Sequence, residues 1–322
     1  MSFDISWPEH NPIEIERKAS PAVAQVASEI YRLDPSGEVF AAVLRDTLDQ
    51  LYDGQRTGRW NFDQLFKTEK THMGTLVEIN LQREFRFPDG IVTDYHIAGI
   101  DVDCKYSMRM GGWELPPEVI GHVALLVHAD DRTASWQAGL AQIEEQFLNQ
   151  GKNRDSKKTL SKYGRSRIHW LWGGHRSMAP NLFIDLDPEL RSRIFAAKAK
   201  RGTHHGQARV NELFRLVQGR VIRRAELATV AQQDDPMKRA RDNQGARGDL
   251  RREGILVLGH KKTHSAIARG LGLPVPRIGE FVSVRIAPAS PDQEDLTVEI
   301  NGSTWRRARP EDPEITAPDL PK

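Results

Sequence analysis

Six consecutive residues, Ile100-Asp101-Val102-Asp103-Cys104-Lys105, put carboxylates and an ammonium at strand spacing. In a strand, successive side chains point to opposite faces. Ile100, Val102 and Cys104 then share a face that can enter a core, while Asp101, Asp103 and Lys105 share the other. Carboxylates beside an ammonium suit an oxygen-ligated Mg²⁺ with a cation next to it. Two acids lie upstream: Asp94 closes the piece Ile91-Val92-Thr93, and Glu78 is flanked by apolar Val77 and Ile79. Glu78, Asp94 and Asp103 would hold a divalent cation, which lowers the pKa of a bound water and neutralises charge developing at phosphorus. Lys105 either stabilises that charge or takes the water's proton, and the residue types leave both roles open. Asp-x-Lys alone is common among exposed charges; the upstream acids give it weight. Pro88-Asp89 is a rival to Asp94, but Phe87-Pro88-Asp89-Gly90 has turn chemistry after its phenylalanine, so Asp94 is the expected second acid.

Those residues need an α/β frame. Val39, Phe40, Val43, Leu44, Leu48 and Leu51 fall on one helical face, with Gly54 as the stop. Gly74 to Phe85, Ile91 to Ile97, Ile100 to Tyr106 and Val119 to Val127 read as strands. Trp136, Leu140, Ile143 and Phe147 read as the apolar face of a helix, and Arg167 to Trp172 as a last strand. Strands with covering helices make the first part a mixed sheet flanked by helices. The two glycines and the proline of residues 173–180 suit a linker. The expected division is therefore a catalytic domain over 1–172, a linker over 173–180 and a second domain over 181–322.

Charge divides the same way. Residues 1–150 carry 13 Lys and Arg against 24 Asp and Glu; residues 151–290 carry 29 against 12; the last 32 residues carry 4 against 8. A segment with a net charge of +17 attracts polyanions. It reads as short helices: one with the stripe Val210, Leu213, Phe214 and Val217, a second over Arg224 to Gln232, and a third begun by Asp235-Pro236 and running toward Arg251-Arg252-Glu253. Ile255 to Leu258 and Glu280 to Ile286 read as strands after them. Helices followed by strands suggest a helix-turn-helix with a wing, a mostly helical winged-helix domain for double-stranded DNA. Lys238, Arg239, Arg241 and Asn243 would lie on its recognition helix, with Lys261 and Lys262 in a basic wing tip or loop. The acidic, proline-containing tail reads as loose.

The chain of 322 residues has one cysteine, Cys104, no apolar run near a membrane span of about 18 residues, and no secretory signal at Met1-Ser2-Phe3-Asp4, so a reducing cytoplasm is the expected setting. Two readings compete: a metal-dependent nuclease, and a winged-helix transcription regulator without nuclease activity.

Glu78, Asp94 and the triplet Asp103-Cys104-Lys105 resemble the Asp/Glu-x-Lys restriction endonuclease superfamily. The separations between the acids, the Asp-Cys-Lys triplet itself and the segment from Thr47 to Arg59 resemble the NaeI-like type IIE restriction enzymes, over essentially the whole chain. That resemblance implies a restriction-endonuclease-like fold followed by a winged-helix domain similar to the catabolite activator protein. It also implies Mg²⁺-dependent, blunt cutting in the middle of GCCGGC, activation by a second, effector copy of the site bound to the second domain, and a homodimer. Within the same segment, Leu51-Tyr52-Asp53-Gly54 is similar to the Lys-x-Asp-Gly element of DNA ligases. Leu51 has no nucleophile, which excludes nucleotidyl transfer there. An apolar helix position followed by a glycine cap accounts for Leu51, Asp53 and Gly54, and Arg56 and Arg59 beyond it can meet phosphate.

Overall fold

The computed structural model describes residues 19–151, 154–200, 202, 205–241, 244–290 and 295–321. The chain forms two compact units, one made of Met1–Leu51 with Phe62–Asn181 and the other of Tyr52–Asn61 with Leu182–Lys322. The stretch 52–61 thus leaves the sequence neighbours on both its sides.

Among the described residues four helices come first: α1 (Pro21–Leu33), α2 (Glu38–Tyr52), α3 (Gly54–Thr57) and α4 (Lys67–Phe85). Six strands follow: β1 (Tyr95–Ile97), β2 (Ile100–Ser107), β3 (Val123–Asp130), β4 (Ser135–Gln142), β5 (His169–Trp170) and β6 (Arg176–Ser177), with α5 (Lys162–Ser166) between β4 and β5. They form a sheet in the order β1-β2-β3-β4-β5, with β6 also paired to β4. β2 runs parallel to β3, and the other pairs are antiparallel. Ala124 and Leu126 of β3 pack with Trp113, Leu115 and Ile143 in one buried cluster. Phe40 of α2 stacks on Trp136 of β4 with ring centroids 5.1 Å apart. This mixed sheet with helices packed on it fits the expected restriction-endonuclease-like core. Inside the stretch read as a linker, β6 pairs with β4 and the Met178 N–H donates to Ala134 O at 2.9 Å.

The strand read from Ile91 begins only at Tyr95, because exposed Ile91 and Val92 lie in a bend, and two elements differ in kind from their reading. Gly74 to Phe85, expected as a strand, belongs to helix α4. Met73, Val77 and Leu81 repeat every four residues and are buried together, and Glu69 accepts the Phe66 N–H at the helix start at 2.8 Å. Conversely, Trp136 to Phe147, expected as a helix, is strand β4 followed by a single 3₁₀ turn, Glu145–Phe147. Both faces of β4 are covered, so its buried residues show no alternation and their helical spacing is coincidental.

The second unit contains α3, α6 (Leu182–Asp185), α7 (Pro188–Ala196), α8 (Gly206–Leu216), β7 (Val221–Ile222), α9 (Arg224–Ala231), α10 (Pro236–Arg241), α11 (Ala246–Asp249), β8 (Ile255–Leu258), α12 (Lys262–Gly270), β9 (Phe281–Pro288), β10 (Thr297–Ile300) and β11 (Ser303–Arg307). Its sheet has the order β10-β11-β9-β7, with β8 also on β9. The two-residue period sorts its core. Ile255 and Val257 join the helices' cluster with Val210, Leu213 and Phe214, whereas Leu256 and Leu258 face Ile267, Leu271 and Trp305.

Three further expectations change here. The third helix ends at Arg241 rather than running to Glu253. A side chain at Gly245 would lie 2.5 Å from Arg239 O, so the backbone doubles back on α10 before a new helix starts. Lys261 and Lys262 stand at the start of α12, not in a wing tip. The tail is not loose: Asn301-Gly302, both at positive φ, turn the β10–β11 hairpin, and Ala317 is buried. Among the described residues no helix is long and apolar enough to cross a membrane.

Gly54 is not a helix stop either. Asp53 takes the left-handed conformation that ends α2, and Gly54 opens α3 against α9. A Cβ there would sit 2.0 Å from Thr229 Oγ1 and 2.8 Å from Thr229 Cβ. Gly54→Ala is therefore expected to cost about 1–3 kcal/mol by overpacking, with part recovered in the Gly54→Ala/Thr229→Ala double variant, as read by urea denaturation.

Candidate active site

The strand that carries the acidic triplet has little freedom. β2 is zipped residue for residue to β3, with Asp103 opposite Ala124 and Lys105 opposite Leu126. Val102 and Cys104 are buried, and alternation sends Asp103 and Lys105 to the same side. Their charged ends meet there: Lys105 Nζ is 2.7 Å from Asp103 Oδ2. The ammonium also lies 3.5 Å from Asp94 Oδ2 and donates to Cys104 O at 3.0 Å. Asp94, in the bend before β1, accepts the Cys104 N–H at 2.7 Å, which fixes the carboxylate against β2.

Glu78 reaches this corner from helix α4. The Tyr95 hydroxyl donates to the Glu78 carbonyl at 2.8 Å, tying the helix backbone to β1. Tyr95 is fully buried and went unnoticed in the sequence, where its only signal is an aromatic residue directly after Asp94. Asp101, on the Asp103 side by the strand pattern, is engaged elsewhere. It accepts the N–H groups of Ile91 and Val92 at 3.0 and 2.9 Å and meets His96 Nδ1 at 2.9 Å. Asp89 accepts from Gln82 Nε2 at 2.7 Å, so Asp94 is the acid at Lys105.

The electrostatics follow from crowding. Burial, then the Asp94 charge, raises the Glu78 pKa against the pull of Lys105. Burial pushes the Asp103 carboxyl up to about 6, with Asp94 and Glu118 adding to it and Lys105 opposing. For Lys105, burial works against the charge, but Asp103 and then Asp94 outweigh it and raise its pKa. Glu118 is thus a further acid acting on Asp103, and no spacing rule pointed to it. Burial drives the Cys104 thiol upward, so it is a packing residue rather than a nucleophile.

Three mutually repelling carboxylates with one ammonium suit a hard divalent cation. Among the described residues no three His, Cys, Asp or Glu side chains stand as a ready-made metal cage.

The other predicted residues are spread over the second unit, except Leu51. Leu51 lies in the last turn of α2 and is buried. Arg56 on α3 is 85% exposed and 3.7 Å from the Asp53 carboxylate. Arg59 follows the left-handed Gly58, and its N–H donates to Thr57 Oγ1 at 3.0 Å. Lys238, Arg239 and Arg241 lie on α10, with Lys238 and Arg241 exposed. Lys261 and Lys262 are exposed at the start of α12, and Asn243 lies outside the described residues.

Comparison with known proteins decides the family. The family model described as restriction endonuclease NaeI matches residues 24–316. The chain belongs to the NaeI restriction endonuclease family. The type II restriction enzyme NaeI of Lentzea aerocolonigenes is 56% identical to it over 298 residues, covering 92% of this chain and 94% of that enzyme. This NaeI-family chain is accordingly an enzyme of the type II restriction class.

The raised pKa of Glu78 has a measurable sign. A carboxyl whose folded pKa lies above its unfolded value stabilises the fold at low pH, and that contribution is lost as pH rises through the folded pKa. In EDTA, Glu78→Gln is therefore expected to melt above the wild type at pH 8, with the difference closing as pH falls toward 4. A thermal melt series across that range checks it.

Proposed function

We propose that this chain hydrolyses both strands of duplex DNA at a specific sequence, with a divalent cation, Mg²⁺ in the cell, held by Asp103, Asp94 and Glu78. The observation that carries the reading is the shared approach of Asp103 and Asp94 to Lys105 in a chain of the NaeI family. When bound, the cation supplies an acidified water and neutralises charge at phosphorus. The protein's own part is to hold the three carboxylates at one corner and to keep the Lys105 ammonium beside them, where it stabilises negative charge on a phosphoryl oxygen. Covered by sheet and helices, the corner has a lower dielectric than water, which strengthens that effect.

The second unit is proposed as the DNA-binding, effector-responsive part, of winged-helix type. Support comes from the order α8-β7-α9-α10-α11-β8-α12-β9 and from β9 lying between β7 and β8, with the basic α10 ahead of α11 and β8. Its charge favours phosphate contacts. By analogy with the NaeI family the target is GCCGGC, cut bluntly at its centre, with activation by a second DNA copy. A two-fold symmetric target calls for a homodimer, and the setting is the prokaryotic cytoplasm. Arg56 and Arg59 are proposed as additional phosphate contacts.

The deciding experiment incubates the protein with a plasmid bearing several GCCGGC sites, in Mg²⁺ and in EDTA. Discrete fragments ending at those sites, in Mg²⁺ alone, are the expected outcome; a plasmid bound but uncut with every divalent ion would hand the chain to the transcription-regulator reading. Asp103→Ala is expected to lower cleavage about a thousandfold or more, since several kcal/mol of charge stabilisation are lost, while DNA binding stays within about tenfold. Neutralising Lys238, Arg239 and Arg241 together should weaken binding and flatten its log–log salt dependence by about 2 to 3, measured by fluorescence anisotropy.

A further inference from the structure

We propose that a basic cavity in the second unit is a binding site for phosphate groups of duplex DNA, and that Asp319 of the chain's own tail occupies it when DNA is absent. This rests on the reading of that unit as a DNA binder. The cavity, of about 1020 Å³, is lined by Arg241, Arg247, Arg251, Arg252 and Lys261, with Asp319 as the acid among them. Of the described carboxylates, none is paired with Arg241, Arg252 or Lys261.

The cationic wall is built rather than incidental. Arg247 Nε donates to Val257 O at 3.0 Å and Nη1 to Arg241 O at 2.8 Å, so its guanidinium is held in place by α10 and β8. Burial, then the Arg241 charge, lowers its pKa. His264 tells the same story: burial, then Arg247 and Lys261, lowers its pKa to about 4, and its Nδ1 accepts the Gly259 N–H at 3.1 Å. Among the described lining residues, five cationic side chains stand with one carboxylate.

The tail supplies a stand-in anion. Ala317 anchors it: the residue is buried in the cluster of Leu256, Leu258 and Trp305, and its N–H donates to Arg251 O at 2.9 Å. Beyond the anchor, the Asp319 carboxylate forms an ion pair with the Arg251 guanidinium. The Asp319 carbonyl accepts from Asn301 Nδ2 at 2.8 Å, and the Pro321 carbonyl accepts from Thr263 Oγ1 at 3.4 Å. The anchor is apolar and the tip polar. With the Asp319 side chain 77% exposed, its ion pair is screened by water and is weak enough to exchange. A phosphate offers more acceptor oxygens to several cations at once, so DNA displaces the carboxylate while Ala317 stays docked.

The test uses the full chain, a labelled duplex without GCCGGC, EDTA to prevent cutting, and anisotropy titrations at several salt concentrations. Asp319→Asn is expected to bind about two- to fivefold tighter than wild type, the range that an exposed ion pair spans. Arg251→Ala is expected to bind more weakly, with a salt slope shallower by about 0.9, and the gain from Asp319→Asn should shrink in that background. An equal gain in both backgrounds would reduce the effect to net charge and overturn the proposal, as would unchanged binding in Asp319→Asn or in Arg251→Ala. Lys238→Ala with Arg239→Ala separates the two levels. If only that pair weakens binding, the cavity proposal falls alone; if neither it nor the cavity variants do, the reading of the unit as a DNA binder falls with it.

Discussion

The Lys105 ammonium sets the terms on which Glu78, Asp94 and Asp103 share one corner of the first unit. Burial and the neighbouring carboxylates push the Glu78 and Asp103 carboxyls toward the neutral form, and even with the ammonium beside them both titrate above their ordinary range. The position of that ammonium follows from the strand beneath it. Because β2 is locked to β3 in a parallel register and buries Val102 and Cys104, the residues between and after them must face the other way together. Asp94 is then brought in by the Cys104 N–H, and Glu78 by a helix whose backbone Tyr95 holds. A bound divalent cation would relieve the repulsion among these carboxylates.

The second unit handles charge on the opposite principle. Its sheet and helices carry the surplus of cations, and internal acids neutralise chosen members. Arg215 is paired with Glu253 and Glu212, Arg223 with Glu226, and Arg306 with Asp312. Arg241, Arg252 and Lys261, which no described carboxylate pairs, line one cavity, where the polyanion-binding reading needs cations. The acidic tail is part of the same balance, because it is docked at Ala317 and not shed into solvent.

Much of this was legible in the residues. The β2 alternation, the α2 face, the strands at Ile255 and Phe281, the helix at Arg224 and the charge divide all rest on short-range patterns that the fold keeps. Elsewhere a short-range pattern points away from the fold. Glu78 was placed on a strand because Val77 and Ile79 flank it, although Ile79 is exposed and the stripe that packs is Met73, Val77 and Leu81. Trp136 to Phe147 was placed on a helix because a strand covered on both faces carries no period of its own. The tail's Asn301-Gly302 turn is a local signal that its acidic, proline-containing composition masks.

Residue types and their spacing, then, fix the chemistry available: which strand presents an acid and a lysine on one face, which other acids are candidates, and which half of the chain carries the surplus of cations. Residue type and a two-residue period suffice for that, since both act over neighbouring positions. Only the tertiary structure decided which acids meet. It brought Asp94 and not Asp101 to Lys105, set Glu78 there from a helix, added Tyr95 and Glu118, and folded the stretch 52–61 and the tail into the second unit. Those choices depend on contacts between positions far apart in the chain, whose energies come from burial and hydrogen-bond partners that no local pattern encodes.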